Sequence, residues 1–175
     1  MTRKSLALIV LALGGPLALQ AQAQPSRRWG VGAGAGLTVP LGFYSSTDNP
    51  GVHALAYFTY SVRPAFSLGL DVGSAWTPHK ASGHTHLDEI LVDGVWHPGE
   101  RRASPRPFLL ASIGAVNVDT DNPSKGAFAW GGGGGISVGH GDARVFFDAR
   151  FVRIQASGGA LSVIPITVGF ATLAP

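Results

Sequence analysis

The sequence contains no cysteine, which excludes a disulfide framework, a thiolate metal site and a cysteine nucleophile. Only 13% of the residues are charged while 45% are hydrophobic, a balance that excludes a disordered tail and is unlike a helical bundle. Beyond residue 23 the chain lacks a long apolar run, so we predict no membrane-spanning helix. No cluster of arginine and lysine in it suggests phosphate binding, and we therefore predict no nucleic-acid partner.

The N-terminus has the layout of an export signal. Arg3 and Lys4 precede the short apolar run from Leu6 to Leu13, and the small-x-small sequence at 21–23 is a cleavage site. This predicts a secretory signal peptide over residues 1–23, with an uncleaved membrane anchor as the alternative. Residues 24–175 are then long enough for one domain.

Strict two-residue alternation is the main feature of the remaining chain. In 143–151 every odd position is apolar, whereas Arg144, Asp148 and Arg150 lie at even positions. Successive strand residues point to opposite faces, so this stretch predicts a strand with one apolar and one charged face. The same alternation predicts eight strands, at 29–41, 52–63, 66–76, 86–97, 108–118, 126–139, 143–151 and 162–170. Pro165 cannot donate to a ladder, and we expect a bulge there.

The bulk of the side chains lies on one face of these strands, opposite a face of glycine, serine and threonine. If these small residues faced the core of a soluble protein, that core would be empty and the bulky residues would be exposed to water. The interior of an eight-stranded barrel is so narrow that small residues fit it. We therefore predict that the bulky face contacts lipid, through Val31, Leu37, Phe58, Leu68, Leu70, Ile113, Val145, Phe147, Ile164, Ile166 and Val168.

Aromatic residues collect near the strand ends. If consecutive strands run in opposite directions, these aromatic residues fall at the two ends of the barrel. This predicts two aromatic girdles at the membrane interfaces, a feature of membrane barrels. The predicted girdle residues are Trp29, Tyr60, Phe66, Trp96, Phe108 and Phe170 at one end and Trp76, Phe128, Trp130 and Phe151 at the other.

The opposite face carries a few charges, which would point into the lumen. We predict an ion-pair network of Arg63, Asp71, Arg144, Asp148 and Arg150, because charges in a narrow lumen are costly unless they are paired. Such a network could plug a lumen otherwise filled by small residues, or it could select ions in a gated pore.

The alternation in 29–41, 143–151 and 164–170 resembles that of the small eight-stranded outer-membrane β-barrels, the OmpW/OmpA/OmpX-like, porin-type group. The resemblance covers the chain after the signal and implies an all-β, antiparallel, up-and-down transmembrane barrel in the outer membrane. Both termini would be periplasmic and the loops 43–51, 77–85, 119–125 and 156–160 would face outward. Its partners would be outer-membrane lipid and the barrel-insertion machinery, with the barrel itself a monomer.

Two groups of residues could carry chemistry. His84, His86, Asp88 and Glu89 could share a metal ion, or they could belong to a solvated outer loop. A lipid-modifying enzyme would need a histidine, a nucleophile such as serine and a carboxylate on a lipid-accessible face, and His140 and Asp142 have no serine nearby. We predict no catalytic residue, metal or cofactor, and a structural role or passive passage of small solutes. The alternative is a soluble, exported, lipocalin-like barrel that binds a hydrophobic ligand.

Overall fold

The computed structural model describes residues 28–99, 104–120, 125–140, 143–156 and 159–172, and the predicted signal peptide lies outside them. Eight antiparallel strands close into one barrel in which each strand pairs with its sequence neighbours and β1 pairs with β8. The predicted fold class is therefore confirmed. The strands are β1 (Trp29–Leu41), β2 (Gly51–Arg63), β3 (Phe66–Pro78), β4 (His84–Trp96), β5 (Arg106–Asp119), β6 (Lys125–His140), β7 (Ala143–Ala156) and β8 (Gly159–Thr172).

The barrel has two distinct ends. At the terminal end β1 begins, β8 ends and a tight connection joins β2 to β3. At the loop end, β1 and β2 are joined through the short helix α1 (Tyr44–Thr47). Among the described residues no helix is both long enough and apolar enough to cross a membrane.

Pro165 interrupts the β7–β8 ladder without shifting its register. The pairs Ala149↔Ile166 and Val152↔Val163 keep one register on either side of the gap, so the predicted bulge at Pro165 is wrong. A proline only removes one donor, and here the ladder loses its pairing locally instead of gaining a residue. The β2–β3 ladder does shift, between Ser61 and Arg63.

The apolar side chains lie on the outside of the barrel, as the glycine face suggested. The structure places all the predicted lipid-facing residues on the outer face, from Ile113 at 59% exposure to the half-buried Ile164 and Ile166. Nine of the ten predicted girdle residues also lie on the outer face. Their side chains can therefore contact lipid.

Phe108 is the exception, and its prediction as a girdle residue is wrong. Its side chain is 9% exposed and packs inside the barrel with Leu110 and Phe146. The alternation of β5 explains this, because Leu109 and Ile113 occupy the outer face and Phe108 must take the opposite one.

The interior is not filled by small residues alone. Its loop half contains an apolar cluster that includes Leu87, Leu91, Val116, Val152 and Ile154, all at most 4% exposed. In the terminal half, the ring of Tyr57 crosses the glycine face of β1, where a Cβ at Gly32 would lie 2.3 Å from Tyr57 Cζ. Glycine on one wall therefore makes room for a bulky side chain from another.

The helix α1 covers the loop end of the interior. Tyr44 is 3% exposed and packs on the apolar cluster. Its hydroxyl lies 2.5 Å from Thr77 Oγ1, which also donates to Asp48 Oδ1 at 3.0 Å. Burial raises the pKa of Tyr44 above its ordinary value. These contacts make α1 a lid on the interior.

Candidate functional site

An ion-pair network crosses the middle of the lumen. Arg150 on β7 donates through Nη1 to Asp71 Oδ2 on β3 at 2.6 Å, and its Nε lies 3.3 Å from Asp148 Oδ1. Arg150 Nη1 is also 3.6 Å from Asp93 Oδ2 on β4. All four side chains are at most 6% exposed. One guanidinium thus joins carboxylates from three strands across the barrel.

The structure brings together three of the five residues predicted for this network, namely Asp71, Asp148 and Arg150. Arg63 does not belong to it, because it lies at the exposed end of β2 beyond the register shift. Arg144 points inward and is buried, but it lies near the start of β7, roughly 20 Å along the strand from Arg150. The prediction that Arg63 belongs to the network was therefore wrong, whereas Arg144 lies on the predicted inward face but apart from Arg150.

Asp93 is the network residue that the sequence reasoning missed. Apolar residues fall on both faces of β4, so hydrophobicity alone does not indicate which face of this strand points inward. The usable signal was the spacing: Asp93 alternates with Leu91, opposite the face that carries Ile90 and Val92.

His53 extends the polar layer toward β1 and β8. Its two ring nitrogens lie 3.1 Å from Thr38 Oγ1 and 3.1 Å from Thr167 Oγ1. Each of these three side chains is at most 6% exposed. A hydrogen-bonded belt therefore continues around the lumen beside the ion pairs, as burial of polar groups requires.

A cavity of about 100 Å³ lies between this network and the terminal end. The network residues Asp71, Asp93, Asp148 and Arg150 line it, and so do the rings of Phe108 and Phe146. Toward the terminal end it is lined by Ser61, Pro64, His97, Arg106 and Thr172. On the loop side of the network the apolar cluster fills the interior. The cavity therefore lies on the terminal side of the network, and the apolar cluster lies on its loop side.

The residues considered for a metal ion do not converge on one point. His84, His86 and Asp88 lie on the outer face of β4, whereas Glu89 lies on the opposite face. In the part of the chain that the structure describes, no group of three or more histidine, aspartate and glutamate side chains is placed to hold a metal ion.

No protein-family model and no curated protein matches this sequence. Solved structures do match its fold. Neisserial surface protein A has a TM-score of 0.69 and 14% identity, over 85% of this chain and 99% of that chain.

Two further matches are outer-membrane proteins by name. Yersinia pestis Ail, in a phospholipid bilayer nanodisc, has a TM-score of 0.53 and 11% identity, over 81% of this chain and 98% of that one. Pseudomonas aeruginosa OprG has a TM-score of 0.52 and 10% identity, over 83% and 96%. None of these names denotes an enzyme. The chain therefore has the fold of the small eight-stranded outer-membrane β-barrels, and the resemblance drawn from its alternation is confirmed at the level of fold.

Proposed function

We propose that this chain is an outer-membrane β-barrel whose lumen is closed, so that it acts as a membrane-embedded scaffold and not as a pore. The apolar outer face and the aromatic residues near both ends support a membrane location. The shared fold with Ail and OprG supports the outer membrane in particular. In this arrangement residues 1–23 direct export, the terminal end is periplasmic, and the barrel-insertion machinery delivers a monomer.

The filled loop half of the lumen carries the proposal of a closed barrel. Leu91 is fully buried and Ile154 is 1% exposed, and Tyr44 covers this cluster from the loop end. Ions would have to pass between these closely packed apolar side chains, which is costly. Passive passage of solutes, the other role predicted from the sequence, would need this layer to open.

The lipocalin-like alternative fits the side-chain distribution poorly. Its ligand would require an apolar interior and a polar exterior. Here Leu37, Phe58 and Ile113 lie outside, at 45% exposure or more, while Asp71 and Arg150 lie inside. Such an apolar belt would not be tolerated on a monomer in water. Membrane partition separates the two functions, because a soluble barrel would be released without detergent.

Single-channel recording in planar bilayers tests the closed lumen. We expect no conductance steps from the wild type or from Asp148→Ala, because the apolar cluster closes the lumen independently of the ion pairs. The double variant Leu91→Ala, Ile154→Ala removes the bulk of that layer and is expected to conduct. Regular conductance steps from the wild-type barrel would refute the proposal.

A further inference from the structure

A serine, a histidine and an aspartate converge on the outer face of the β3–β4 hairpin. Ser74 Oγ lies 2.6 Å from His86 Nε2 and 2.7 Å from Asp88 Oδ1. The same carboxylate oxygen lies 3.2 Å from His86 Nε2. These three residues, the Ser74 site, are distinct from the lumen network because they lie on the opposite face of the same strands.

The pairing register explains why these residues meet. Ser74 is the direct cross-strand partner of Asp88, and Trp76 is that of His86. Directly opposite and diagonal side chains on one face of an antiparallel pair lie within reach of each other. The His86 ring also stacks on Trp76, with centroids 4.8 Å apart and 9° between the planes, which fixes the orientation of the imidazole.

The Ser74 site lies at a defined depth on the lipid-facing surface of the barrel. Trp76 is one of the outer-face aromatics at the loop end, and such residues sit at the level of lipid headgroups. Ser74 lies roughly 7 Å along the strand from Trp76, toward the middle of the membrane. On the side of Ser74 that faces the terminal end, an apolar surface is formed by Val72, Ile90 and Val92. This depth is where the acyl esters of a lipid meet their hydrocarbon chains.

A carboxylate and an imidazole at this depth are unfavourable on a lipid-facing wall unless they serve a purpose. The Asp88 side chain is 54% exposed and that of His86 27%, so both are open to the membrane and neither takes part in the packing of the interior. A nucleophile within hydrogen-bonding distance of a base that a third group holds in place is the arrangement of nucleophilic catalysis. Here the stacked Trp76 ring holds the imidazole, and Asp88 stands beside the same nitrogen as the serine, not at the opposite nitrogen as in the serine-hydrolase triad.

We propose that the Ser74 site hydrolyses an ester-linked acyl chain of an outer-leaflet lipid. The Ser74 hydroxyl transfers its proton to His86 Nε2 while Oγ attacks the ester carbonyl carbon. The carbon–oxygen bond to the lipid alcohol then breaks, and that alcohol leaves with the proton from His86. Water attacks the acyl-serine, again through His86, and a fatty acid is released with Ser74 restored. Ester and water thus give alcohol and carboxylic acid.

Asp88 is a positioning residue in this reaction. Its carboxylate stands beside the nitrogen that receives the proton and stabilises the imidazolium that forms. Asn117, the cross-strand partner of Asp88 on its other side, adds an amide donor to the same outer surface.

The test uses the refolded barrel in vesicles. One arm contains phosphatidylethanolamine and phosphatidylglycerol, and the second also contains lipopolysaccharide. Free fatty acid is measured by mass spectrometry, and a fluorophosphonate probe reports acylation of the serine. We expect the wild type to release fatty acid in at least one arm, and the arm that responds identifies the lipid class.

Four variants and one control make the assignment specific. Ser74→Ala and His86→Gln are each expected to lower the rate at least about 100-fold, and Ser74→Ala to abolish labelling by the probe. Asp88→Asn should lower the rate about tenfold or more, and Asp88→Glu, which retains the charge, should recover most of it. Ser162→Ala is the matched control, since Ser162 lies on the outer face at a similar height on β8, and its rate should equal that of the wild type.

Folding of each variant is checked by heat-modified gel migration and tryptophan fluorescence. A folded wild-type barrel that releases no fatty acid in either arm would overturn the proposal. So would release, or labelling, that persists in folded Ser74→Ala.

Discussion

Replacing Arg150 by methionine is expected to destabilise the barrel strongly. The variant keeps an unbranched apolar stem but removes the guanidinium that contacts Asp71 at 2.6 Å, Asp148 at 3.3 Å and Asp93 at 3.6 Å. Removing one partner of a buried ion pair costs about 3–5 kcal/mol, because it leaves an uncompensated buried charge. We therefore expect the free energy of unfolding to fall by at least about 3 kcal/mol.

The measurement is equilibrium urea unfolding of the refolded barrel in lipid vesicles, followed by tryptophan fluorescence. Arg153→Met is the matched control, because Arg153 lies on the same strand but on the outer face, and its loss should cost less than about 1 kcal/mol. Adding Asp71→Asn to Arg150→Met removes one of the unpaired charges and should restore part of the stability. Equal unfolding free energies for Arg150→Met and Arg153→Met would refute the reasoning.

Three further predictions concern packing and the lid. A Cβ at Gly36 would lie 1.8 Å from the backbone oxygen of Ile166, so Gly36→Ala should cost about 1–3 kcal/mol in urea unfolding, whereas Gly126→Ala, which meets open space, should not destabilise. Leu91→Ala, in the loop-half cluster, should lower the unfolding free energy by about 2–5 kcal/mol, and an unchanged value would contradict a packed interior. Because burial raises the pKa of Tyr44, the unfolded chain loses this proton first as the pH rises above about 10. Wild-type stability should therefore fall there more steeply than that of Tyr44→Phe, as measured by the urea midpoint at each pH.

Much of the fold could be predicted because alternation carries two kinds of information at once. In 29–41 and 143–151 it marked a strand and also its two faces, and the even number of strands suggested closure. The terminal end and the loop end then followed from up-and-down order. The error at Phe108 arose from sorting aromatics by height alone, although Leu109 and Ile113 already assigned its face.

The interior was harder to predict because its contents depend on contacts between strands distant in sequence. Asp93 joins Arg150 only once β4 and β7 face each other across the lumen. The alternation of β2 predicts that Arg63 faces the lumen, yet the register shift at the end of β2 takes this side chain out of the barrel. For the Ser74 site a local signal did exist. His86 and Asp88 share one face of β4, and the short connection to β3 sets which residues of that strand oppose them.

The closed lumen and the proposed Ser74 site support each other physically. A reactive group on a membrane-facing wall must keep hydrogen-bond geometry within a few tenths of an ångström, and this requires a rigid support. Ala75 and Leu87, the inward-facing neighbours of Trp76 and His86, are both buried in the apolar cluster, so the wall behind the site is packed like a protein core. A water-filled pore would leave the same hairpin supported by its ladders alone. In the proposed closed barrel, the filled interior removes the lumen as a route for solutes and at the same time stiffens the outer face that carries the Ser74 site.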